Sequence, residues 1–322
     1  MQKNDILVSV ICTTYNHQKF IQSALDGFVM QKTNFSFEVL VHDDASPDGT
    51  AQIIREYAEK YPDIIVPILQ TENQYSKGVL ILNDILYPKA RGKYIAFCEG
   101  DDFWTDENKL QMQVDFLEKN PDCTACVHNT VMHDCSGFAK DELMVQNTSE
   151  HDVAFEDVIW GMRNAYQTSS LVVKKEALFN VPSFCQNAYK AGFGDFPNAI
   201  WFTIMGKIHF LPYTMSTYRL MSSANSWSAD SFTITKQIKH TNHMIDMFED
   251  IKPHVSDERV SLLDKAILSQ KFRLLEFKKE YDKMRKPPYD KIWRAQPLMF
   301  KIKIYIKKLC PWLYKKFKRL GD

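Results

Sequence analysis

The chain has no apolar stretch near the roughly 20 residues that a membrane-spanning helix needs, and internal repeats and low-complexity tracts are absent. Met1-Gln2-Lys3-Asn4-Asp5 runs straight into a strand-like segment, without the charged start, apolar core and cleavage site of a secretory leader. Its seven cysteines are an odd number without a framework-like pattern, which fits a reducing, cytoplasmic setting better than secretion. Cys123-Thr124-Ala125-Cys126, with His128, His133 and Cys135, has zinc-ligand residue types but no second C-x-x-C. Alternation from Cys126 to Met132 reads instead as a strand whose side chains point to opposite faces. His42 and His209 lie on apolar strands and read as packed or hydrogen-bonded residues. What the chain does have is 45% hydrophobic and 13% aromatic residues over 322 positions, enough for one large core and an appendage.

Ile6 to Cys12 is a short buried-type strand, followed by the polar turn Thr13-Thr14-Tyr15-Asn16. Phe20, Ile21, Ala24, Leu25 and Phe28 then recur at helical spacing. Phe37 to Val41 repeats the pattern, with the loop His42-Asp43-Asp44-Ala45-Ser46-Pro47-Asp48-Gly49-Thr50 and a helix through Ile53, Ile54 and Tyr57. A third strand, Tyr94 to Cys98, stops at Glu99-Gly100 and delivers Asp101-Asp102. Thr105 reads as the N-cap of the next helix, with acids in its first turn. Strand, polar loop and helix in succession predict an α/β fold, a mostly parallel sheet with helices on both faces. Each strand brings Asn, Thr or Asp to one edge, where such sheets open a ligand crevice. Adjacent carboxylates repel, so a dry site holds both best around a cation or sugar hydroxyls.

These segments resemble the family-2 glycosyltransferases of the GT-A (Rossmann-like) fold. The carriers are Val8 to Asn16, the Asp43-Asp44-x-Ser46-x-Asp48-Gly49-Thr50 loop, and Gly100-Asp101-Asp102-Phe103-Trp104. Thr168-Ser169-Ser170-Leu171-Val172, Gly194-Asp195 and Tyr218-Arg219 also match, in order, over roughly the first 220 residues. The resemblance implies an inverting, metal-dependent enzyme that moves one sugar from a nucleotide-diphosphate donor, a UDP-sugar in many relatives, to a glycan or lipid-linked acceptor in surface polysaccharide synthesis. By analogy Thr13, Tyr15 and Asn16 line the base pocket, and Asp44 accepts a hydrogen bond from a uracil-like ring edge. Asp101 then holds the ribose, and Asp102 coordinates the Mn²⁺ or Mg²⁺ that bridges the phosphates. Arg219 reaches the diphosphate, and Ser222, Ser223, Asn225 and Ser226 read as a mobile loop over the donor.

The resemblance also implies that Asp195 is the catalytic base, taking the proton from the attacking hydroxyl. The plainer alternative is that Asp195 caps the helical stretch from Asn198 to Met205. The sequence around Asp195 contains no Glu and so no neighbouring competitor. His209 is a remote second metal-ligand candidate. The Gln-x-x-Arg-Trp signature of processive synthases is missing. A sugar nucleotidyltransferase normally opens on a glycine-rich basic phosphate loop, which Cys12 to His17 is not. A non-catalytic nucleotide- or carbohydrate-binding module of the same fold has little need of all four carboxylates.

The expected division is a catalytic domain over 1–230, a helical extension over 231–290 and a basic amphipathic tail over 291–322. From Lys283 onward, 13 Lys or Arg stand against two Asp, leaving +11 there and −11 in the rest of a chain of zero net charge. Trp, Tyr, Leu and Ile interleave with those lysines, as in an interfacial helix on an anionic membrane, with Pro311 breaking it in two. Nucleic acid and the protein's own acidic body are the competing partners.

Overall fold

A computed structural model describes residues 5–137, 139–161, 165–179, 181–220 and 233–310. The chain divides into two compact units, Met1–Ser222 and Ser223–Asp322. The first holds ten strands and six α-helices, in the order β1 (Ile6–Thr14), α1 (Ile21–Val29), β2 (Ser36–Asp43), α2 (Thr50–Lys60), β3 (Ile65–Leu69), β4 (Tyr94–Phe97), β5 (Phe103–Trp104), α3 (Lys109–Lys119), β6 (Cys123–Asp134), β7 (Glu142–Leu143), β8 (His151–Asp152), α4 (Phe155–Trp160), β9 (Val172–Lys174), α5 (Ser183–Lys190), α6 (Asp195–Met205) and β10 (Lys207–Leu220), among the described residues.

The sheet runs β3-β2-β1-β4-β9-β6-β10-β5, with β7 on β6 and β8 on β10. Its first four strands are parallel, as are β6 and β10, and antiparallel β9 joins the two sets. The chain moves from β1 outward through β2 and β3, then returns to β4 on the other side of β1. That reversal opens a crevice beyond the carboxyl ends of β1 and β4. Val8 to Cys12 and Phe37 to Asp43 are buried throughout, the continuous burial expected of parallel strands covered on both faces.

The helix after β1 buries Ile21, Ala24, Leu25 and Phe28, the predicted stripe. A Cβ on Gly27 would lie 2.9 Å from the Trp104 carbonyl oxygen, so only glycine lets α1 approach β5 this closely. Thr105 does not start a helix. Its N–H is taken by the Met215 carbonyl, and α3 begins only at Lys109. Buried Lys109 lies 4.1 Å from the Trp104 ring centroid and donates to Gln113, and loss of water pulls its pKa down to about 7. Gln113 in turn donates to the carbonyls of Cys126 and Ser170, fixing the turn before β9.

At the far end of the sheet, buried Glu38 accepts from Ser9 Oγ at 2.7 Å and from the Arg91 backbone N–H and Nε at 2.9 and 2.8 Å. Burial opposes its charge, but the bonds from Arg91 and Ser9 prevail and hold its carboxyl below the ordinary 4.5. A depressed acid stabilises the fold above its unfolded value and loses that contribution as pH falls through its folded one. Glu38→Gln is therefore expected to lower stability by about 1–3 kcal/mol at pH 7. The gap to wild type should close on acidification below pH 4.5, the ordinary value, as thermal melts across pH will show.

The second unit contains α7 (Ile234–Ile251), α8 (Asp257–Phe277), α9 (Asp290–Ala295) and α10 (Leu298–Leu309) among its described residues. Helix α7 buries Met247, Phe248 and Ile251, and α8 buries Leu263, Ala266 and Ile267. Phe272, Leu275, Tyr281, Met284 and Ile304 form a further small core. The tail helix is interrupted at Gln296-Pro297, and α10 ends at Leu309 ahead of Pro311. Ser222, Ser223, Asn225, Ser226 and residues 311–322 lie outside the described residues.

Candidate active site

The crevice is built from the strand ends. From β1, buried Thr14 donates to Asp43 Oδ1 and the His42 carbonyl, both at 3.1 Å. Thr13 lies one residue earlier, and exposed Tyr15 and Asn16 form the turn. Asn16 takes a positive φ of 60° and donates its N–H to Ser46 Oγ at 2.9 Å. That bond ties the β1 turn to the loop after β2. Asp43 anchors the same loop, accepting from the Ser46 N–H and hydroxyl.

Asp44 is buried, and its two carboxylate oxygens accept the N–H groups of Gln74 and Tyr75 at 2.8 and 3.0 Å. The loop Asn73 to Gly78 is thus held in place by one of the acids expected to bind the donor. Each oxygen retains a lone pair for a ligand donor.

The acid turn follows β4. A Cβ on Gly100 would sit 2.4 Å from Thr14 Cγ2, so glycine is required for Glu99 and Asp101 to close against β1. Asp101 is partly open to solvent, 3.8 Å from His17 Nε2. His17 is held below its ordinary pKa, burial outweighing the nearby acids. Asp102 is buried, accepting the Arg219 backbone N–H at 3.0 Å and the Gln167 amide at 3.3 Å. Burial, then Glu99 and Asp101, drives its carboxyl well above the ordinary range.

Arg219, at the end of β10, donates to the Asp101 carbonyl at 2.6 Å. Its guanidinium lies 4.4 Å from the Phe103 ring centroid and 5.3 Å from that of Phe20. The stack pre-orients it beside the acid turn.

Asp195 begins α6, with Gly194 in the cap position and no side-chain capping bond. Its carboxylate instead accepts from Thr168 Oγ1 at 3.1 Å, across 27 residues of sequence. The residue is exposed, yet its carboxylate sits among enough protein that lost hydration raises its pKa. The expected isolation from other acids fails in three dimensions. Glu99 carries an orphaned buried oxygen, and burial, then Asp195 and Asp101, lifts its carboxyl to about 8.

Glu99, Asp101, Asp102 and Asp195 therefore share one electrostatic neighbourhood, with Arg219 too little charge to balance them. An orphaned carboxylate oxygen among clustered acids fits a hard divalent cation. Among the described residues no three His, Cys, Asp or Glu side chains are already gathered as a cage.

Sequence reasoning missed Glu99 as a site residue, and Gln167 and His17 altogether. Gln167 is legible only through space: it accepts from Ser169 N–H and hydroxyl while donating to Asp102. The remote candidate His209 stacks on Phe116, with its ring nitrogens on Asp152 and Glu150. It stands ten residues before Arg219 on one strand, roughly 30 Å away.

The chain is similar to the uncharacterized protein Rv1520 of Mycobacterium tuberculosis, 36% identical over 212 residues, which are 66% of this chain and 58% of that protein. The chain thus spans well under two thirds of the length of that relative. An uncharacterized glycosyltransferase of Nostoc, alr2836, is 29% identical over 72% of this chain and 70% of its own length. Among solved structures, residues 1–349 of Staphylococcus aureus TarS in complex with UDP-GlcNAc superpose with a TM-score of 0.58 at 18% identity, over 84% of this chain and 73% of that one. Such a likeness establishes the shared fold. The glycosyl transferase family 2 model matches residues 9–185, more than half of the chain and all of the crevice-forming strands up to β9, and the chain belongs to that family.

Proposed function

We propose that the protein is an inverting, metal-dependent glycosyltransferase that moves one sugar from a UDP-sugar to a hydroxyl of a lipid-linked or polysaccharide acceptor. The carrying observation is the convergence on one sheet edge of the acid turn after β4, Arg219 from β10 and Asp195 at the head of α6. Two relatives support the substrate class. An Escherichia coli protein 32% identical over 36% of this chain is named WfgD, a UDP-Glc:alpha-D-GlcNAc-diphosphoundecaprenol beta-1,3-glucosyltransferase. Bacillus subtilis TuaG, 32% identical over 34% of this chain, is named a putative teichuronic acid biosynthesis glycosyltransferase.

Thr13, Tyr15 and Asn16 line the base pocket, and Asp44 both holds the 73–78 loop and offers its spare lone pairs to the base. In the acceptor half-reaction Asp195 removes the proton from the attacking hydroxyl. The new bond forms at the anomeric carbon as its bond to the diphosphate oxygen breaks, and the electron pair leaves with the diphosphate. A raised pKa suits a base that must be regenerated near neutrality. Arg219 receives the developing negative charge. Asp101, partly open to solvent, and Glu99, with its orphaned oxygen, are the residues we place on Mn²⁺ or Mg²⁺; Asp102, the ligand expected from resemblance, is engaged by Arg219 and Gln167 but keeps a lone pair on each oxygen and is the competing ligand. When bound, the cation supplies Lewis-acid stabilisation of the leaving diphosphate.

Residues 1–230 form the catalytic part, 231–290 a helical extension and 291–322 a basic tail that rests on the inner face of the cell membrane. No described helix is long and apolar enough to cross a membrane.

Calorimetric titration of UDP with and without Mn²⁺, followed by turnover across UDP-sugars, tests the reading. Silence with UDP, GDP, CDP and dTDP alike would remove it. Asp44→Asn is a sharper probe of the donor pocket, since an amide nitrogen cannot accept from Gln74 or Tyr75. Its expected effect is about tenfold weaker UDP binding, the worth of roughly one hydrogen bond, and faster limited proteolysis within 73–78.

A further inference from the structure

The tail helix α10 has two apolar faces, of which one joins the core of its own unit. Ile304 is buried and Phe300 partly so, in the small core around Phe272 and Met284. On the opposite side Leu298, Ile302 and Leu309 recur at intervals of four and seven, with Met299 beside them, while Tyr305 in the same row is exposed but packs on Trp293 and accepts from Arg285. All five are exposed, Leu298 and Leu309 each at 71%. Such spacing aligns side chains into a single stripe along a helix. A stripe of this kind left in water is unfavourable, which marks it as a surface for a partner.

The charge around it says what partner. Lys301, Lys303, Lys307 and Lys308 all fall outside the stripe on the same helix, and exposed Lys291 and Arg294 precede it. Lys307 and Lys303 pair with Glu276, Lys308 with Asp282 and Arg294 with Asp290, so the excess of cations over these few acids is what a headgroup layer would meet. Four more basic residues follow within 311–322, and the segment from Lys283 onward carries +11. An apolar ridge between rows of cations matches the boundary between acyl chains and anionic headgroups better than it matches an apolar protein groove.

We infer that the outward stripe of α10 docks the protein on an anionic bilayer, with the helix lying in the plane of the interface and Leu298, Ile302 and Leu309 inserted. This deepens the membrane reading above by assigning it to one face of one helix. The stripe supplies insertion and the flanking cations supply attraction, so neither alone should suffice.

The test uses the full chain and vesicles of phosphatidylcholine with or without phosphatidylglycerol, read by co-sedimentation. Wild type should bind the anionic vesicles at least tenfold more tightly than the neutral ones. The variant Leu298→Gln/Ile302→Gln/Leu309→Gln keeps every charge and replaces only exposed positions. It should lose at least tenfold on anionic vesicles, with an unchanged melting temperature. Equal binding by the variant would overturn the proposal in favour of charge alone, and absence of wild-type binding would end it. A concentration-dependent dimer that the variant abolishes would give the stripe to a second copy instead. UDP titration on both proteins separates the issues, because stripe-dependent vesicle binding without UDP binding would retain the surface and remove the transferase reading.

Discussion

Asp195→Asn is expected to lower the turnover number by about 10²–10⁴-fold, the usual worth of a positioned general base, while leaving UDP affinity within about twofold. The asparagine is nearly isosteric and can still accept from Thr168 Oγ1, so the geometry at the head of α6 survives and only the proton acceptor is lost. Because Asp195 is exposed and makes no capping bond, the melting temperature should stay put. A helix-capping role predicts the reverse pattern, with stability lost and turnover spared. Thr168→Val offers an independent check through the partner. It frees the carboxylate without removing it, and should reduce turnover by a smaller factor, about tenfold for one lost hydrogen bond. Single-turnover kinetics and thermal melts on the two variants decide between the roles.

The second large effect separates two neighbouring carboxylates. Asp101→Asn is expected to remove the Mn²⁺-dependent part of UDP binding, about tenfold or more in affinity, with little change in stability, because its side chain is partly solvated. Asp102→Ala should instead destabilise the fold by about 1–3 kcal/mol, since the buried Gln167 amide and the half-buried Arg219 N–H both lose their acceptor. Its loss of binding then follows from disorder of the acid turn and is recovered in part by Asp102→Asn, which keeps one acceptor. Calorimetry with and without Mn²⁺ alongside chemical denaturation gives the comparison. Should Asp102→Asn fold like wild type and yet lose all metal dependence, the cation belongs on Asp102 and the placement at Asp101 and Glu99 is wrong.

Much of the sheet was readable because buried parallel strands are continuous apolar runs. Val8 to Cys12 and Phe37 to Val41 announce themselves, and the helical stripe of Ile21, Ala24, Leu25 and Phe28 fixes which face of α1 turns inward. The helix start at Thr105 misled, because a Thr followed by acids has the chemistry of a cap while the Met215 carbonyl, over a hundred residues away, claims its N–H. The site was harder for a related reason. A carboxylate's role depends on what its oxygens already touch, and the partners of Asp44, Asp102 and Asp195 lie 27 to 117 positions away. Glu99 looked like the end of a strand, and only its burial beside Asp195 and Asp101 makes it part of the constellation.

The Asp102 clasp has a practical corollary for recombining this chain with its relatives. The loops proposed to take the donor come from the first hundred residues, so a crossover between α3 and α4 looks like a clean way to exchange donor preference while keeping the second half of the domain. Such a cut parts Asp102 from Gln167 and Arg219, and Trp104 from the Ser169 carbonyl that its indole N–H reaches at 2.8 Å. Chimeras should therefore be chosen so that both parents supply a glutamine at 167 and the same backbone path into 219, or the graft will arrive with its acid turn unmoored.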